Sequence, residues 1–382
     1  MGAIYFSLVM LVFSLYHVHL FLKINNIFNP GARSKWFVFS LLALFWGGIP
    51  LSRTVSKLDW LLAGQLLFRT GSLWLGFILL FFCVEISIFG LEGVTKLWKR
   101  RGGGFCWQKN KKIFLIHVAL TLLANLYGYY EAGRFTVSRL QMTVPAMPPG
   151  AAPLTIVHFS DAHYGNFVLQ ARHEQLLRLI RHEKPDMIVE TGDFIDFGAG
   201  VRDSWVEDWR SIQPPLGKWA VLGNHEYLAG LSSSITLIEQ SGFRVLRNEM
   251  IPFEGFALLG VDDPSVTPTR ELVINHWRAK PGDSVLLLYH QPLWPAQLAG
   301  RFDLGLSGHT HGGQILPLGV LVTLNYGVLS GLRQTPWGGN YYISRGIGTW
   351  GPPIRIASPP EITVITLRPG PERSIRWLQQ AP

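Results

Sequence analysis

The chain has 382 residues, with 34 Lys and Arg against 25 Asp and Glu, a formal net charge of +9 and 48% hydrophobic residues. This length accommodates two or three domains with sizeable cores. The two cysteines, Cys83 and Cys106, both precede residue 150. The composition therefore excludes a disulfide-based scaffold and, after residue 150, a thiolate zinc site.

The basic excess is confined to the first 150 residues. They hold 15 basic and 4 acidic residues, a net charge of +11, whereas residues 151–382 hold 19 and 21, a net charge of −2. A high isoelectric point indicates nucleic-acid binding when the basic residues form a patch, but here they lie between apolar segments. We therefore expect a lipid bilayer as the partner of this part of the chain, and no nucleic acid.

Four apolar segments lie before residue 135. They cover residues 2–22, 36–51, 71–91 and 113–130. About 20 apolar residues are enough to cross a bilayer, so the second segment is short and an interfacial or re-entrant position is its alternative. Glu85 lies inside the third segment, where it either pairs with a neighbouring helix or has a functional role. The pattern predicts an integral membrane protein with a transmembrane helical domain over residues 1–135.

Basic residues in the connecting loops predict the orientation of these spans. Residues 23–35 and 92–112 carry ten lysines and arginines, whereas residues 52–70 and 134–139 carry five. The side richer in basic residues faces the cytoplasm. We therefore expect a bacterial inner or plasma membrane location, with the part of the chain after the fourth span on the extracytoplasmic side.

The composition changes after the fourth span. Pro145, Pro148, Pro149, Gly150 and Pro153 fall close together. Such a run cannot continue a helix and is typical of a semi-stiff linker. We therefore predict a Pro-rich tether over residues 136–153 and a further domain over residues 154–382.

Short apolar runs alternate with a helical pattern in this further domain. Runs this apolar suit strands that are buried on both faces, and residues 169–182 have the apolar spacing of a helix. The expected strands cover residues 155–159, 187–189, 219–222, 256–261, 285–289, 304–306 and 361–367. The alternation predicts a mixed fold of the α/β (α+β) class.

Side chains that bind metals follow five of these runs. In chain order they are Asp161-Ala162-His163, Gly192-Asp193, Gly223-Asn224-His225-Glu226, His290 and Gly308-His309-Thr310-His311. Their nitrogen and oxygen atoms are donors that zinc and first-row metals accept.

These five motifs, in this order, resemble the signature of the calcineurin-like metallophosphoesterase superfamily, over about residues 153–368. The resemblance implies a sandwich of two packed sheets flanked by helices, and a metal-dependent phosphoric ester hydrolase with two divalent ions, Mn, Fe or Zn. One ion would take Asp161, His163 and His311, the other Asn224, His290 and His309, and Asp193 would bridge both. By the same resemblance His225 would be catalytic, contacting the phosphate and protonating the leaving alkoxide, and Glu226 would orient its neighbours.

The segments Gly312-Gly313-Gln314, Ser344-Arg345-Gly346 and Pro360-Glu361-Ile362 are similar to a membrane-tethered branch related to the bacterial YaeI and YkuE phosphoesterases. This likeness implies a membrane-anchored phosphoesterase that hydrolyses a phosphodiester or pyrophosphate of a lipid-like or cell-envelope substrate. Arg345 and Arg355 could bind a phosphate of this substrate, with loop salt bridges as the alternative. Asp196 is explained by turn chemistry.

Two other functions stay open. A cytoplasm-facing UDP-2,3-diacylglucosamine pyrophosphate hydrolase would require the opposite orientation of the spans. A non-catalytic membrane sensor or scaffold would make the helical part the working element, and the complete set of ligand motifs argues against it.

Overall fold

A computed structural model describes residues 2–58, 60–99, 110–165, 167–196, 201–265, 279–294 and 296–381. The chain divides into two compact units, Met1–Tyr127 with Gly351–Pro353, and Gly128–Trp350 with Ile354–Pro382. Part of the predicted basic loop, with Arg100, Arg101 and Lys109, lies outside the described residues, as does Cys106.

The first unit is helical. Its helices are α1 (Gly2–Phe28), α2 (Ala32–Lys57), α3 (Leu61–Lys99) and α4 (Lys111–Glu131), whose last residues belong to the second unit. Each contains a stretch that is long and apolar enough to cross a membrane: Met10–Phe28, Ala32–Ser52, Leu62–Val94 and Lys111–Glu131. The four predicted apolar segments each fall in one of these helices, and the short second segment is part of a helix of 26 residues.

Glu85 joins α3 to α1 within the first unit. The Tyr16 hydroxyl donates a hydrogen bond to its carboxylate, His19 Nε2 lies 3.0 Å from Oε1, and Lys23 forms an ion pair with the same oxygen. A charge at membrane depth is costly unless it is paired. The contacts therefore favour pairing between helices over a separate functional role for Glu85.

The second unit holds two β-sheets. Its strands are β1 (Thr136–Val144), β2 (Leu154–Phe159), β3 (Met187–Thr191), β4 (Lys218–Val221), β5 (Arg244–Val245), β6 (Glu249–Pro252), β7 (Phe256–Gly260), β8 (Ser284–Leu288), β9 (Leu304–Ser307), β10 (Gly331–Gln334), β11 (Asn340–Ile343), β12 (Glu361–Pro369) and β13 (Ser374–Ala381). Its further helices are α5 (Gln170–His182), α6 (Asp203–Arg210), α7 (Asn224–Ala229), α8 (Leu231–Gln240) and α9 (Leu318–Tyr326).

The strand order brings the ends of parallel strands together. It is β13-β1-β12-β2-β3-β4-β5 in the larger sheet and β10-β11-β9-β8-β7-β6 in the smaller sheet. The strands from β2 to β5 run parallel to one another, and so do β7, β8 and β9. The turns that follow parallel neighbours gather at one edge of a sheet, where α/β proteins bind ligands.

Side chains alternate between a core shared by the two sheets and cores on their outer faces. Ile156, Val189 and Leu286 belong to the shared core, whereas Ile188 packs in an outer core with Trp209 of α6. Because both faces are buried, these strands read as continuous apolar runs. The predicted mixed fold with two sheets and a preceding apolar helical part is confirmed.

The prediction of a tether over residues 136–153 is wrong for its first half. Thr136–Val144 forms β1, which pairs in parallel with β12 over its nine residues and antiparallel with β13. Its side chains Leu140, Met142 and Val144 are fully buried. The proline cluster begins only at Pro145, after the strand has ended, so it does not interrupt β1. The rest of the division, residues 1–135 and 154–382, stays a prediction.

Candidate metal centre

The predicted metal ligands lie in the turns that follow β2, β3, β4, β8 and β9. Five of them have a left-handed backbone, with φ of +54° at Asp161, +45° at His163, +59° at Asp193, +67° at His309 and +50° at His311. Such a conformation costs a non-glycine residue on the order of 1–3 kcal/mol, and it persists only where the surrounding structure enforces it. Strain gathered at one place is typical of functional sites.

Glycines beside these residues allow the turns to approach closely. A Cβ atom on Gly223 would lie 2.2 Å from Asp193 Oδ1, and one on Gly308 would lie 2.2 Å from Asp161 Oδ2. Both distances are far inside van der Waals contact, so only glycine lets the backbone pass at these two points.

Asp161, His163 and His311 form a first cluster. His163 Nε2 lies 3.1 Å from His311 Nε2, and His311 Nε2 lies 3.4 Å from Asp161 Oδ1. Burial lowers the pKa of His163 to about 4 and that of His311 well below its ordinary value. Two neutral imidazoles therefore turn ring nitrogens toward one carboxylate, and neutral imidazole nitrogen is the commonest metal ligand.

Asp193, His290 and His309 form a second cluster. His290 Nε2 lies 3.2 Å from Asp193 Oδ2 and 3.2 Å from His309 Nδ1. The other ring nitrogen of His290 donates a 2.7 Å hydrogen bond to the Thr191 carbonyl, which turns Nε2 toward Asp193. Because Asp193 Oδ2 is also 3.8 Å from His163 Nε2, this carboxylate lies between the two clusters.

Asn224 is the first residue of α7. Its side-chain amide indicates whether the residues of the two clusters fit metal ions. Its Oδ1 atom is buried, and no hydrogen-bond donor reaches it among the residues that the structure describes. A buried polar oxygen without a partner is costly, and a cation would satisfy it. The clusters of His and Asp, in which sets of three ligand atoms lie within 4.8 Å of one another, are suited to binding metal ions.

His225 lies at the edge of the clusters and is held by a second carboxylate. Its Nε2 is 4.0 Å from Asp193 Oδ2, and its Nδ1 donates a 3.0 Å hydrogen bond to Asp196 Oδ1. Burial opposes the charged imidazole, but Asp193 and Asp196 outweigh burial and raise the pKa of His225 above its ordinary value. A charged imidazole in this position can donate a proton or a hydrogen bond to an anionic oxygen.

Two residues of this site were missed in the sequence. We explained Asp196 by turn chemistry, although its spacing of three residues from Asp193 placed it on the same loop. Tyr326, whose hydroxyl lies 2.7 Å from His309 Nε2, ends α9 and belongs to no motif. Only the tertiary fold reveals its contact with the site.

Glu226 ties two of the turns together. Its carboxylate accepts hydrogen bonds from the backbone N–H groups of Asp193 at 2.9 Å, Ile195 at 3.0 Å and Gly223 at 2.8 Å. It thereby fixes the turn after β3 against the turn after β4, which is the orienting role that the resemblance implies.

The two arginines that we expected to contact a phosphate are engaged with protein groups. Arg355 is fully buried, and its guanidinium donates to the carbonyl oxygens of Gly348 and Ser358, among others. Its expected phosphate contact is therefore wrong, because burial and these bonds leave no surface for a ligand. Arg345 forms a 2.6 Å ion pair with Glu361, which is the alternative that the sequence left open, and its phosphate contact stays a prediction.

Comparison with known proteins agrees with this geometry. A family model described as calcineurin-like phosphoesterase matches residues 154–313. An uncharacterized metallophosphoesterase of Aquifex aeolicus is 34% identical over 259 residues, which cover 65% of this chain and 98% of that protein. The residues that the family model matches include the strands β2, β3, β4, β8 and β9, which precede the predicted ligands.

Two further relatives match different shares of the chain. A protein of Bos taurus named transmembrane protein with metallophosphoesterase domain is 29% identical over 329 residues, 78% of this chain and 73% of that protein. The uncharacterized metallophosphoesterase YkuE of Bacillus subtilis is 32% identical over 241 residues, 58% of this chain and 82% of that protein. From the ordered motifs, the two-sheet fold and these matches, the chain belongs to the calcineurin-like phosphoesterase family.

Proposed function

We propose that this metal-dependent phosphoester hydrolase holds two divalent ions, Mn, Fe or Zn. Asp161, His163 and His311 would bind one ion, and Asn224, His290 and His309 the other, with Asp193 shared between them. The position of Asp193 Oδ2, 3.2 Å from His290 Nε2 and 3.8 Å from His163 Nε2, supports the shared role. A shared carboxylate is what two cations need in order to lie close together.

The residues around the ions would divide the chemistry. When bound, the two ions supply the Lewis acidity that activates water and neutralises charge on phosphoryl oxygens. His225 would hold a proton on Nε2 and give it to the leaving oxygen, because its Nδ1 atom is committed to Asp196. Asp196 would position the ring and favour its charged form.

We further propose a phosphodiester or pyrophosphate with a lipid-like or cell-envelope part as the substrate. The observation that carries this proposal is a small cleft, with a cavity volume of about 40 Å³, whose lining includes His163. Its lining is mainly apolar and includes Phe135, Val168, Leu176 and Ile347. An apolar cleft beside a predicted metal ligand suits a substrate with a hydrocarbon portion.

The activity is tested with the full-length protein in detergent. Purified protein with added Mn²⁺ should hydrolyse bis-p-nitrophenyl phosphate, and Asp193→Ala should reduce turnover to background. Lipid phosphodiesters and nucleotide-linked lipids are then compared with short-chain analogues, where the cleft predicts a preference for the longer chain. A folded sample without turnover on any substrate with any divalent ion rejects the proposal.

We also propose that the second unit lies on the extracytoplasmic side, as the distribution of basic residues predicts. Alkaline phosphatase fused after residue 382 should then be active in cells. Activity there excludes the cytoplasm-facing hydrolase, whereas an inactive fusion that is still produced at full length excludes the outward orientation.

A further inference from the structure

The helix α9, next to the metal centre, exposes a continuous apolar surface. Leu316, Val320, Leu321 and Leu324 have exposed fractions of 59, 58, 51 and 78%. Leu324 shares one face of the helix with Leu321 and Val320, which precede it by three and four residues. We call these four residues the α9 apolar face. Singly exposed leucines are ordinary on protein surfaces, whereas a contiguous group marks an interaction site.

The sequence around the α9 apolar face contains no charge. Across the 21 residues from Gly312 to Leu332 there is no Asp, Glu, Lys, Arg or His. Surfaces that dock a protein partner usually carry a polar and charged rim around the apolar centre. A stretch without any side chain that is charged at neutral pH instead suits the hydrocarbon edge of a bilayer, where each charge would be costly.

The α9 apolar face is also joined to the end of the fourth apolar helix by a short chain of backbone bonds. Arg355 N donates to the carbonyl of Gly128, in the last turns of α4, at 2.9 Å. Ile356 N then donates to Gln314 O at 2.8 Å, and Leu316 N donates to Ile356 O at 3.2 Å. One extended segment therefore separates the end of α4 from the start of the α9 apolar face, a distance of about two strand spacings, or roughly 10 Å.

An exposed aromatic side chain extends the same surface. Trp350 is 59% exposed, and its backbone is bound to the side chain of Gln314 by two hydrogen bonds of 2.9 and 3.0 Å. Its ring centre lies 6.2 Å from that of His225. Tryptophan is enriched where proteins meet the headgroup layer, so its place between the α9 apolar face and the catalytic histidine suits the same partner.

The helix is firmly attached to the metal-binding loop. A Cβ atom on Gly313 would lie 2.5 Å from Gly319 Cα, which shows how closely the start of α9 packs on that loop. At its other end Tyr326 contacts His309 through a 2.7 Å hydrogen bond. A displacement of α9 would therefore move the loop that carries His309 and His311.

We infer that α9 is an interfacial membrane helix, and that the α9 apolar face enters the headgroup and acyl boundary of the bilayer. Together with the end of α4 it would give the second unit two points of contact with the membrane and hold the mouth of the metal centre against the lipid surface. The inference concerns the position of the unit and does not depend on which phosphoester is hydrolysed.

Site-directed fluorescence on the full chain in lipid nanodiscs tests this inference. Cys83 and Cys106 are replaced by alanine, and an environment-sensitive dye is attached through Leu324→Cys or, as a second site, Leu321→Cys. The matched control is Glu239→Cys, an exposed position on α8. Each sample is exposed to brominated phosphatidylcholine, which quenches from the acyl region, and to iodide, which quenches from water.

We expect the dyes at 324 and 321 to be quenched by brominated lipid and protected from iodide, and the dye at 239 to behave in the opposite way. Equal quenching of all three positions by iodide overturns the inference. Protection at 324 from both quenchers also overturns it, because the surface is then covered by protein, such as a second copy of the chain.

The outcome is independent of the proposed activity. A dye at 324 that is buried in lipid, in a folded protein without phosphoesterase turnover, would reject the proposed function and support the interfacial helix. Turnover of bis-p-nitrophenyl phosphate with a water-exposed dye at 324 would give the reverse result.

Discussion

The proposed role of His225 as a proton donor can be tested directly, because the rate gain from a proton donor depends on the leaving group. A p-nitrophenolate leaves without needing a proton, whereas an alkoxide needs one. We expect His225→Gln to reduce kcat for an alkyl phosphodiester by about 10²–10⁴-fold, and to reduce kcat for bis-p-nitrophenyl phosphate by much less. Steady-state kinetics with the two substrates, at equal metal content, measure the difference.

Asp196→Asn provides a second, milder variant that tests the same prediction. It removes the negative charge that raises the pKa of His225 but retains a side chain of the same shape. We expect it to follow the same pattern with a smaller effect, of about 10–100-fold on the alkyl substrate. An equal loss on both substrates in the two variants would contradict the role of His225 as the acid.

A second residue-scale prediction concerns acid stability. β2 buries His158 completely, and burial lowers the pKa of its imidazole to about 3. Between pH 6.5 and 3 the unfolded chain therefore binds this proton more readily than the folded chain, so the free energy of unfolding falls as the pH decreases through that range. The loss amounts to about 5 kcal/mol when complete.

We expect His158→Gln to reduce the slope of the midpoint of thermal unfolding against pH, measured on the full chain in detergent between pH 6.5 and about 4. His182→Gln is the control, because His182 is an exposed histidine on α5. The wild type and His182→Gln should lose stability together. Parallel curves for the wild type and His158→Gln would contradict the assigned cost of burying His158.

Some residues of the candidate metal centre can be predicted from the local sequence, whereas others are recognised only from contacts that the fold creates. Proposed ligands such as Asp161 and His290 follow apolar strands in short turns, so their local context already indicates where they lie. Asp196 and Tyr326 act through contacts that the fold creates, and Arg355 resembles a phosphate ligand until its burial is seen. Local patterns identify residues that lie at strand ends, and tertiary contacts identify their partners.

At the scale of elements, β1 changes where the second unit begins. It lies between β12 and β13 in the larger sheet and buries Leu140, Met142 and Val144. Each such side chain contributes about 1.5–3 kcal/mol by its burial, so losing the strand removes a large part of the stability of a typical domain, about 5–15 kcal/mol. It would also leave β12 with an unpaired edge.

We therefore expect a chain that starts at Gly150 to aggregate or to unfold without cooperativity, and a chain that starts at Gly128 to be folded. Thermal unfolding followed by circular dichroism, with size-exclusion chromatography, compares the two. Equal, cooperative unfolding of both chains would contradict the importance of β1.

The error over β1 shows which elements a sequence reveals. The strands β7 and β8 are buried on both faces and read as nearly continuous apolar runs. In contrast, β1 alternates apolar with polar side chains such as Ser138 and Gln141, which resembles an exposed linker when prolines follow. Its position inside the sheet depends on pairing with β12, more than 200 residues later, and no local pattern reports such a partner.

At the scale of the whole molecule, the candidate metal centre forms only because two sheets end at the same place. The turns after β2, β3 and β4 of the larger sheet carry Asp161, His163, Asp193 and Asn224, whereas those after β8 and β9 of the smaller sheet carry His290, His309 and His311. Contact between His163 and His311, which are 148 residues apart, closes the arrangement across the sheets. The left-handed turns are held by this packing, so the site and the sandwich are expected to form together.

The central claim is that this convergence holds two divalent ions through one shared carboxylate. The most direct measurement is the metal content per chain. Inductively coupled plasma mass spectrometry gives this number for the full-length protein after loading with Mn²⁺ and removal of excess ion. We predict about two ions per chain in the wild type and a loss of both in Asp193→Ala, with unchanged circular dichroism. A folded wild type that retains no ion, or an Asp193→Ala variant that retains both, would contradict the account.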